Sequence, residues 1–459
     1  MLHVGRTFAL PLAEDTVKHP AFASVVWALE PHRAGKLEAA KGRGGPIKIA
    51  WEIHGDGPTK VVLIMGLAGV KTSWQRQTKY FGHDRADAYS VLILDNRGIG
   101  ESDKPLARYT TSAMAADTVD VLDHVGWTAE REVHVVGISM GGMIAQEIAC
   151  AVPTRLRSLT LIGTTARFES GPARSWSDAI WQRVGFVVPK SEDQGIVDTS
   201  RQLFSDEWLA APDDAAALPS PRTTPRCCSA PGTPDGEYIP FDTNFQRFQA
   251  QELFKKRQPG WFTTQGFLCQ LIAAGWHSKS PEQLRQMADR VGRERILIMH
   301  GTADNMITVP NGEKLIKHVE PGAGLIVEGM GHAPGADRAD WFNSLYGIRP
   351  VVEEVIVQLA IARAELLLLQ EKPVVHEGQG VEDVKLGELG EDEGVVHEVV
   401  EAGSQGGLVK GLFQGRVGGV VEEVGDADNV VFGVVDGRRL DAVEGEEVGD
   451  GFLIILGKG

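Results

Sequence analysis

Short apolar runs alternate with stretches of helical period through the first 350 residues of the chain. One helical stretch runs from about Thr111 to Val125, with cap candidates at Thr110 to Ser112, and another runs from Met140 to Ala151. Continuous apolar runs separated by helices are typical of a parallel sheet covered on both faces, so the pattern predicts an α/β protein. The predicted strands are Ile47 to His54, Lys60 to Met65, Val91 to Leu94, Val133 to Ile138, Ser158 to Ile162, Ile296 to His300 and Leu325 to Glu328.

The interval 164–292 breaks this alternation. It has few strand signals, and its middle, "APDDAAALPSPRTTPRCCSAPGTPDG", has the composition of a long loop. We interpret the interval as a mostly helical cap or lid inserted over the sheet, with a separate domain as the alternative. The predicted organisation is an N-terminal extension (1–45), a core in two parts (46–163 and 293–350) and the cap between them. The interval contains Trp176, Trp181, Trp208, Trp261 and Trp276.

Residues 351–459 differ in composition from the rest of the chain. They hold 23 acidic and 8 basic residues, and so nearly all of the net charge of −16, but none of the 10 tryptophans. Residues 351–372 are compatible with a helix, whereas the remainder has no steady period. Valine, glycine, glutamate, aspartate and alanine share the first base of their codons. We therefore expect either a disordered acidic tail or an artefact of a reading frame that runs on through non-coding sequence.

Charge, cysteines and hydropathy restrict the environment and the partners. The first 350 residues are nearly neutral, which argues against a nucleic-acid partner. The cysteines (Cys150, Cys227, Cys228 and Cys269) lack metal-ligand spacing and suit a reducing compartment. The longest apolar run, Val61 to Val70, is about half of what a membrane span needs. We expect a cytoplasmic chain with no membrane span, a mitochondrial location being the alternative. The oligomeric state stays open.

The stretch "VVGISMGGM" places Ser139 between Gly137 and Gly141, after a predicted strand and before a predicted helix. A Gly-x-Ser-x-Gly pattern in this context forms a sharp turn that holds the serine in strained backbone angles and exposes its hydroxyl. The alternative is an ordinary tight turn that happens to contain a serine. A serine becomes a nucleophile only when a base removes its proton and a carboxylate orients that base.

Two later loops supply a carboxylate and an imidazole. "GTADNMI" places Asp304 after one predicted strand, and "GMGHAP" places His332 after the next. In open α/β sheets with such a serine turn, the acid and then the histidine follow the serine along the chain. Loops at the carboxyl ends of the strands often carry the functional residues of these sheets. Taken alone, Asp304 or His332 is equally compatible with an ordinary position in a surface loop. His300, His318 and His277 are weaker candidates for the base, since they fall in a strand, a helix and the insertion.

An acyl transfer also needs hydrogen-bond donors for the oxyanion. One candidate is the backbone N–H of Met140, which directly follows the serine. The other is the backbone N–H of Leu67, which follows Gly66 in "VVLIMGLAG". A plain strand-to-helix turn is the alternative for this second stretch. Because only the backbone N–H would bind the oxyanion, the apolar side chain of Leu67 does not count against this assignment.

These residues resemble the α/β-hydrolase superfamily from about Ile47 to Tyr346. "LDNRGIGESDKP" is similar to the arginine–glycine turn of family members, and its Asp95, Arg97 and Asp103 are expected to hold loops rather than react. The insertion is similar to the variable cap of the family. One departure is Met65, where many members have a histidine before the oxyanion-loop glycine.

The resemblance implies the α/β-hydrolase fold and a serine hydrolase that needs neither cofactor nor metal. Ser139 would attack, His332 would be the base, Asp304 would orient it, and Leu67 and Met140 would form the oxyanion hole. The expected substrate is a small or medium apolar carboxylic ester, lactone or thioester. Alternatives are a non-catalytic member that binds a small molecule, and a lyase or C–C hydrolase that uses the same triad, because fold alone does not choose among chemistries.

Overall fold

The computed structural model describes residues 10–167 and 190–347, and the strand residues 387–392, 395–404, 407–415 and 453–455. Two tryptophans of the predicted cap, Trp176 and Trp181, and the helix considered for residues 351–372 lie outside the described residues.

A single sheet of nine strands forms the centre of the molecule, in the order β1-β2-β4-β3-β5-β6-β7-β8-β12. The strands from β4 to β8 in this order are parallel to one another, whereas β1, β2 and β12 run antiparallel to their neighbours. The described strands of both this sheet and a smaller one are β1 (Arg33–Ala39), β2 (Ile47–His54), β3 (Thr59–Ile64), β4 (Tyr89–Leu94), β5 (Val133–Ile138), β6 (Leu156–Ile162), β7 (Ile296–Gly301), β8 (Ala323–Val327), β9 (Gly387–Asp392), β10 (Val395–Ser404), β11 (Gly407–Gly415) and β12 (Leu453–Ile455).

Helices connect the parallel strands and cover both faces of the sheet. The side chain of Thr110 caps α3 by accepting a hydrogen bond from the N–H of Ala113, and Gly126 ends α3 at a φ of +83°. The described α-helices are α1 (Ala13–Lys18), α2 (Gln75–Gly82), α3 (Thr111–Val125), α4 (Met140–Ala151), α5 (Glu192–Leu203), α6 (Asp206–Ala210), α7 (Asn244–Arg257), α8 (Thr264–Gly275), α9 (Pro281–Val291), α10 (Val309–Val319), α11 (Pro334–Asp337) and α12 (Ala339–Gly347).

The central strands bury residues on both faces, as their continuous apolar runs require. In β3, Val62 and Ile64 belong to one hydrophobic cluster, while Val61 and Leu63 belong to the cluster on the other face. All residues of β5 are buried. The predicted α/β class is therefore confirmed, and β2, β5, α3 and α4 have the predicted bounds.

Strand β1 was not predicted, and it lies in the segment interpreted as an N-terminal extension. Its sequence, RAGKLEA, has few apolar residues because β1 is a mostly exposed edge strand paired antiparallel to β2. The same segment also packs on the insertion. Ala13 of α1 shares a hydrophobic cluster with Phe245 of α7, and the N–H of Ala28 donates to the Tyr238 hydroxyl at 2.8 Å.

The insertion after β6 contains α5 to α9 among its described residues. Helices α5, α7 and α8 and the loop between α7 and α8 contact loops that follow strands of the sheet; for example, the N–H of Gly100 donates to the carbonyl of Trp261 in that loop. Helix α9 instead packs against β6, α4 and α10. Its Leu284 and Val291 belong to the main core cluster, to which α8 also contributes Cys269 and Ala273. Although α9 falls within the predicted cap interval, it is thus a core helix. We call α5 to α8 and their loops the cap.

The C-terminal segment contributes four described strands. β9, β10 and β11 form an antiparallel sheet of their own, and β12 pairs with β8 at the edge of the main sheet. Most of residues 351–459 lie outside the described residues, so the interpretation of this segment as a disordered tail or an artefact stays a prediction. In the described part of the chain, no helix combines the length and apolar character needed to span a bilayer.

Candidate active site

Ser139 occupies a sharp turn between β5 and α4. Its φ of +57° and ψ of −125° lie in a region that residues with a side chain rarely adopt. Its N–H donates to the carbonyl of Ile162 at 2.9 Å, and its carbonyl accepts from the N–H groups of Gly142 and Met143. These bonds hold the strained turn that the Gly-x-Ser-x-Gly pattern predicts, but Ser139 is buried rather than exposed as expected.

The two flanking glycines are required by close backbone contacts. A Cβ on Gly137 would lie 2.3 Å from the carbonyl oxygen of Gly141, and a Cβ on Gly141 would lie 2.1 Å from that of Ile64. Both distances are far below van der Waals contact, so no side chain fits at either position. The two glycines are therefore required because β5, α4 and β3 pack closely around Ser139.

Asp304 and His332 are brought together from the loops after β7 and β8. His332 Nδ1 lies 2.7 Å from Asp304 Oδ2, and both residues are buried. Asp304 Oδ1 accepts from the N–H groups of Met306 and Ile307, at 2.9 and 2.8 Å. Because Nδ1–H then donates to the carboxylate, the imidazole has Nε2 left to act as a base.

Gly163 connects this pair to the serine turn. A Cβ on Gly163 would lie 3.2 Å from Asp304 Oδ2 and 3.2 Å from His332 Nδ1. Gly163 follows Ile162, whose carbonyl binds the N–H of Ser139. His332 Nε2 is buried without a hydrogen-bond partner among the described residues, and thus no bond to Ser139 Oγ is present. Such bonds are often long in ligand-free enzymes and shorten when substrate binds.

The two predicted oxyanion donors border the same serine. Met140 is the first residue of α4, and Gly66, which precedes Leu67, is so close that a Cβ on it would lie 2.9 Å from Ser139 Cβ. Within the described ranges, neither the N–H of Leu67 nor that of Met140 has a hydrogen-bond acceptor. Both amides are therefore available to a ligand.

Of the alternative histidines, His300 lies nearest to this site. Its Nε2 is 2.5 Å from the carbonyl oxygen of Ile307 and 3.4 Å from Asp304 Oδ2, and burial lowers its pKa. His300 therefore stabilises the loop that carries Asp304. This role was not predicted from its position in a strand. His277 instead contacts the Thr111 hydroxyl at 2.9 Å, and burial lowers its pKa to about 3.

The loop of His332 is held from two sides by residues that the sequence did not single out. The N–H of His332 donates to the carbonyl of Leu203 in the cap at 2.7 Å. Asp337 Oδ2 accepts from the N–H of Gly331 at 3.1 Å. Burial raises the pKa of Asp337, and its Oδ1 is buried with no partner in the described part of the chain.

The charged residues Asp95, Arg97 and Asp103 of the arginine–glycine turn bind backbone groups or a side chain of α3. Asp95 accepts backbone N–H groups of two loops, at 2.7 and 2.9 Å, and Asp103 accepts a backbone N–H of β2 at 2.7 Å. Arg97 forms two hydrogen bonds of 2.6 Å with the buried carboxylate of Asp117. These contacts stabilise the loops and reach none of the three predicted triad residues.

Comparisons with known proteins agree with this architecture. A family model described as alpha/beta hydrolase fold matches residues 59–193. A candidate carbamate hydrolase, RutD, of Azorhizobium caulinodans is 35% identical over 124 residues, 27% of this chain and 44% of that protein. The 3-oxoadipate enol-lactonase 2 of Acinetobacter baylyi is 33% identical over 103 residues, 22% of this chain and 35% of that enzyme. The chain spans less than half the length of these two curated relatives.

A solved structure extends the similarity beyond the segment matched in sequence. The structure of an esterase from Exiguobacterium antarcticum superposes with a TM-score of 0.50 at 18% sequence identity. The match covers 70% of this chain and 99% of that one. At this identity the similarity shows a shared fold.

Proposed function

We propose that the chain is a serine hydrolase of the α/β-hydrolase superfamily that cleaves an apolar carboxylic ester, lactone or thioester through an acyl-enzyme. The observation that carries the proposal is the strained turn of Ser139, which Ile162 and Gly163 link to the buried pair of His332 and Asp304, whose Nδ1 and Oδ2 are 2.7 Å apart. A strained serine next to an oriented imidazole with a free nitrogen is the arrangement that acyl transfer needs.

Each residue of the proposed triad has one task. Ser139 Oγ attacks the acyl carbon while His332 Nε2 takes its proton. Asp304 holds the Nδ1–H and stabilises the imidazolium that forms. His332 then gives the proton to the departing alcohol or thiol. In the second half, His332 takes a proton from the water that attacks the acyl carbon and returns it to Ser139 Oγ as the carboxylic acid leaves. These groups supply nucleophile, base and acid, so the reaction needs no cofactor and no metal.

Backbone N–H groups would stabilise the negative charge of the tetrahedral intermediate. The N–H groups of Leu67 and Met140 are unpaired in the described structure and border Ser139, which supports their assignment as the oxyanion hole. Met140 also lies at the N-terminus of α4, where the helix dipole favours an anion.

An apolar substrate is supported by the surroundings of the histidine loop. Leu203, whose carbonyl binds the N–H of His332, is followed by Phe204. The ring centroid of Phe204 lies 4.4 Å from that of Trp208 and 5.6 Å from that of Phe248. This aromatic cluster suits an acyl or alcohol group that is apolar. The curated relatives, named for a carbamate and an enol-lactone, also point to acyl bonds.

Labelling with a fluorophosphonate probe tests the proposal without knowledge of the natural substrate. The wild-type chain is expected to label at one site and to hydrolyse short p-nitrophenyl esters. Ser139→Ala is expected to lose both, with turnover lower by about a million-fold. Ser90→Ala is the matched control, because Ser90 is also buried but binds the carbonyl of Gly57 at 2.7 Å, near the start of β4.

Three results would contradict the proposal. A folded wild type that does not label would favour the non-catalytic small-molecule binder. Labelling that persists in Ser139→Ala would place the nucleophile elsewhere. A wild type that labels but cleaves no ester, lactone or thioester would instead favour a lyase or C–C hydrolase.

A further inference from the structure

The four residues from Gly66 to Gly69, which we call the oxyanion turn, hold the proposed donor Leu67. The N–H of Gly69 donates to the carbonyl of Gly66 at 3.2 Å, which closes a β-turn. Ala68, the third residue of this turn, has a φ of +58°. A positive φ at that position defines a type II turn and is usually provided by glycine or asparagine. An alanine there is strained, so other contacts must hold the turn.

Two cap residues hold Ala68 from either side. Gln270 Oε1 of α8 accepts from the N–H of Ala68 at 2.9 Å. Lys255 Nζ of α7 donates to the carbonyl of Ala68 at 3.0 Å. The exposed fraction is 0% for Gln270 and 5% for Lys255, so both side chains are shielded from bulk water, while Ala68 is half-buried. The cap thus binds both peptide units that flank the Cα of Ala68.

Both cap side chains are themselves fixed. Gln270 Nε2 donates to the carbonyl of Arg97 at 2.8 Å, which ties it to the arginine–glycine turn. Lys255 Nζ also donates to Glu252 Oε1 at 2.6 Å, one turn earlier on α7. A side chain with a second buried hydrogen bond has one orientation, and it therefore restrains the group that it contacts.

This restraint acts on the direction of the proposed donor. The Leu67 N–H shares a planar trans peptide unit with the Gly66 carbonyl and points the opposite way, so the turn bond from the Gly69 N–H to that carbonyl fixes the direction of the donor. Loss of the contacts to Ala68 would let the strained turn relax and would weaken this bond. We propose that Gln270 and Lys255 are positioning residues: from the cap, they hold the strained oxyanion turn so that the Leu67 N–H faces Ser139. The inference rests on the proposed function, since it assigns the turn to an oxyanion hole.

The test measures the rate of fluorophosphonate labelling of Ser139 in full-length variants. Gln270→Met removes the acceptor at nearly constant volume and is expected to slow labelling about 10- to 100-fold, less than the loss of an oxyanion donor itself. Gln249→Met is the matched control. Gln249 is equally buried in the cap, on α7, but binds Thr16 and Pro11 near the N-terminus.

Lys255 gives an independent pair of variants. Lys255→Met removes the donor to Ala68 and is expected to slow labelling like Gln270→Met. Lys255→Arg keeps an N–H donor and is expected to stay within about threefold of the wild type. This pair decides the question if Gln270→Met does not fold, which circular dichroism and a melting curve will show.

With a p-nitrophenyl ester, the positioning role predicts that kcat falls while KM changes by less than about threefold. A change confined to KM would assign both residues to substrate binding and overturn the inference. Folded Gln270→Met and Lys255→Met variants that label as fast as Gln249→Met would also overturn it, yet leave the proposed function standing. A wild type that does not label would overturn both.

Discussion

The loops at the carboxyl ends of the core strands and the helices of the cap both contribute polar groups around Ser139, but in different ways. In the core, Asp304 and His332 lie in loops directly after β7 and β8, and their side chains bind each other. In the cap, Gln270 lies within a helix and Leu203 ends one, and their polar groups bind backbone of the core. The core provides the side chains proposed to react, and the cap restrains the loops that present them.

This difference indicates that the two regions respond differently to substitution. A core loop residue acts through its own chemistry, so its loss removes a step of the reaction. A cap residue acts through alignment or through stability, so its loss leaves the triad in place. The two classes of effect are separable by measuring rate and stability on the same variants.

After Ser139→Ala, the largest effect is expected for Asp304→Asn. An asparagine can accept from Met306 and Ile307 and can leave the loop folded, but it favours the wrong imidazole tautomer. We expect fluorophosphonate labelling and ester turnover to fall by about 10⁴-fold with little change in melting temperature. Asp289→Asn, on the exposed face of α9, is the control. Activity near the wild-type value in Asp304→Asn would move the acid to another residue.

A smaller effect, on stability alone, is expected for Asp213→Asn in the cap. Asp213 Oδ1 and Oδ2 each lie 2.6 Å from the guanidinium of Arg247, and both side chains are buried. Removing one member of a buried pair leaves an uncompensated charge and costs about 3 to 5 kcal/mol. We expect a melting temperature lower by several degrees and an unchanged labelling rate for the folded fraction.

Asp198→Asn provides the matched control for the cap. Asp198 pairs with Lys190 on the cap surface, where about a third of each side chain is exposed. Such pairs contribute at most about 1 kcal/mol. If Asp213→Asn slowed labelling in fully folded protein, the cap would act on the chemistry through more than Gln270 and Lys255, and the contrast with the core would weaken.

The same contrast explains what could be predicted from the sequence. The strand ends, the Ser139 turn and the order of Asp304 and His332 depend on local patterns, because strand period, turn glycines and chain order are local. The contact between Gln270 and Ala68 joins residues 202 positions apart, and a buried glutamine in a helix has no distinguishing pattern. Gly163 likewise looks like any glycine after a strand until its neighbours are known.

Buried histidines in both regions predict a loss of stability in mild acid. Burial and nearby Arg157 lower the pKa of His134 in β5 to about 4, and burial and Lys279 lower that of His277 to about 3. In the unfolded chain both titrate near 6.5, so between pH 6.5 and 4 only the unfolded state is protonated. Stability is therefore complete above pH 6.5 and falls as the pH drops, by up to about 1.4 kcal/mol per pH unit for each histidine.

Urea unfolding at pH 7.5 and pH 5.5 measures this loss. His134→Gln and His277→Gln are each expected to reduce the difference between the two free energies of unfolding. His134 tests the core, and His277 tests the segment that joins the cap to α9. If both variants showed the wild-type difference in the free energy of unfolding between pH 7.5 and pH 5.5, the loss of stability could not be assigned to these two histidines.

The smallest effect is expected from ending the chain at Gly347. The proposed triad is complete by His332, and α12, the last helix among the described residues, ends at Gly347. Beyond it, the contact with the main sheet is the pairing of Leu453–Ile455 with β8, as far as the described residues go. A segment that buries little apolar surface cannot offset its own ordering entropy. We therefore expect unchanged labelling and a melting temperature within about 2 to 4 °C of the full chain, or roughly 1 kcal/mol. A larger drop would show that β12 protects the edge of β8, and that the C-terminal segment is a third region on which the core depends.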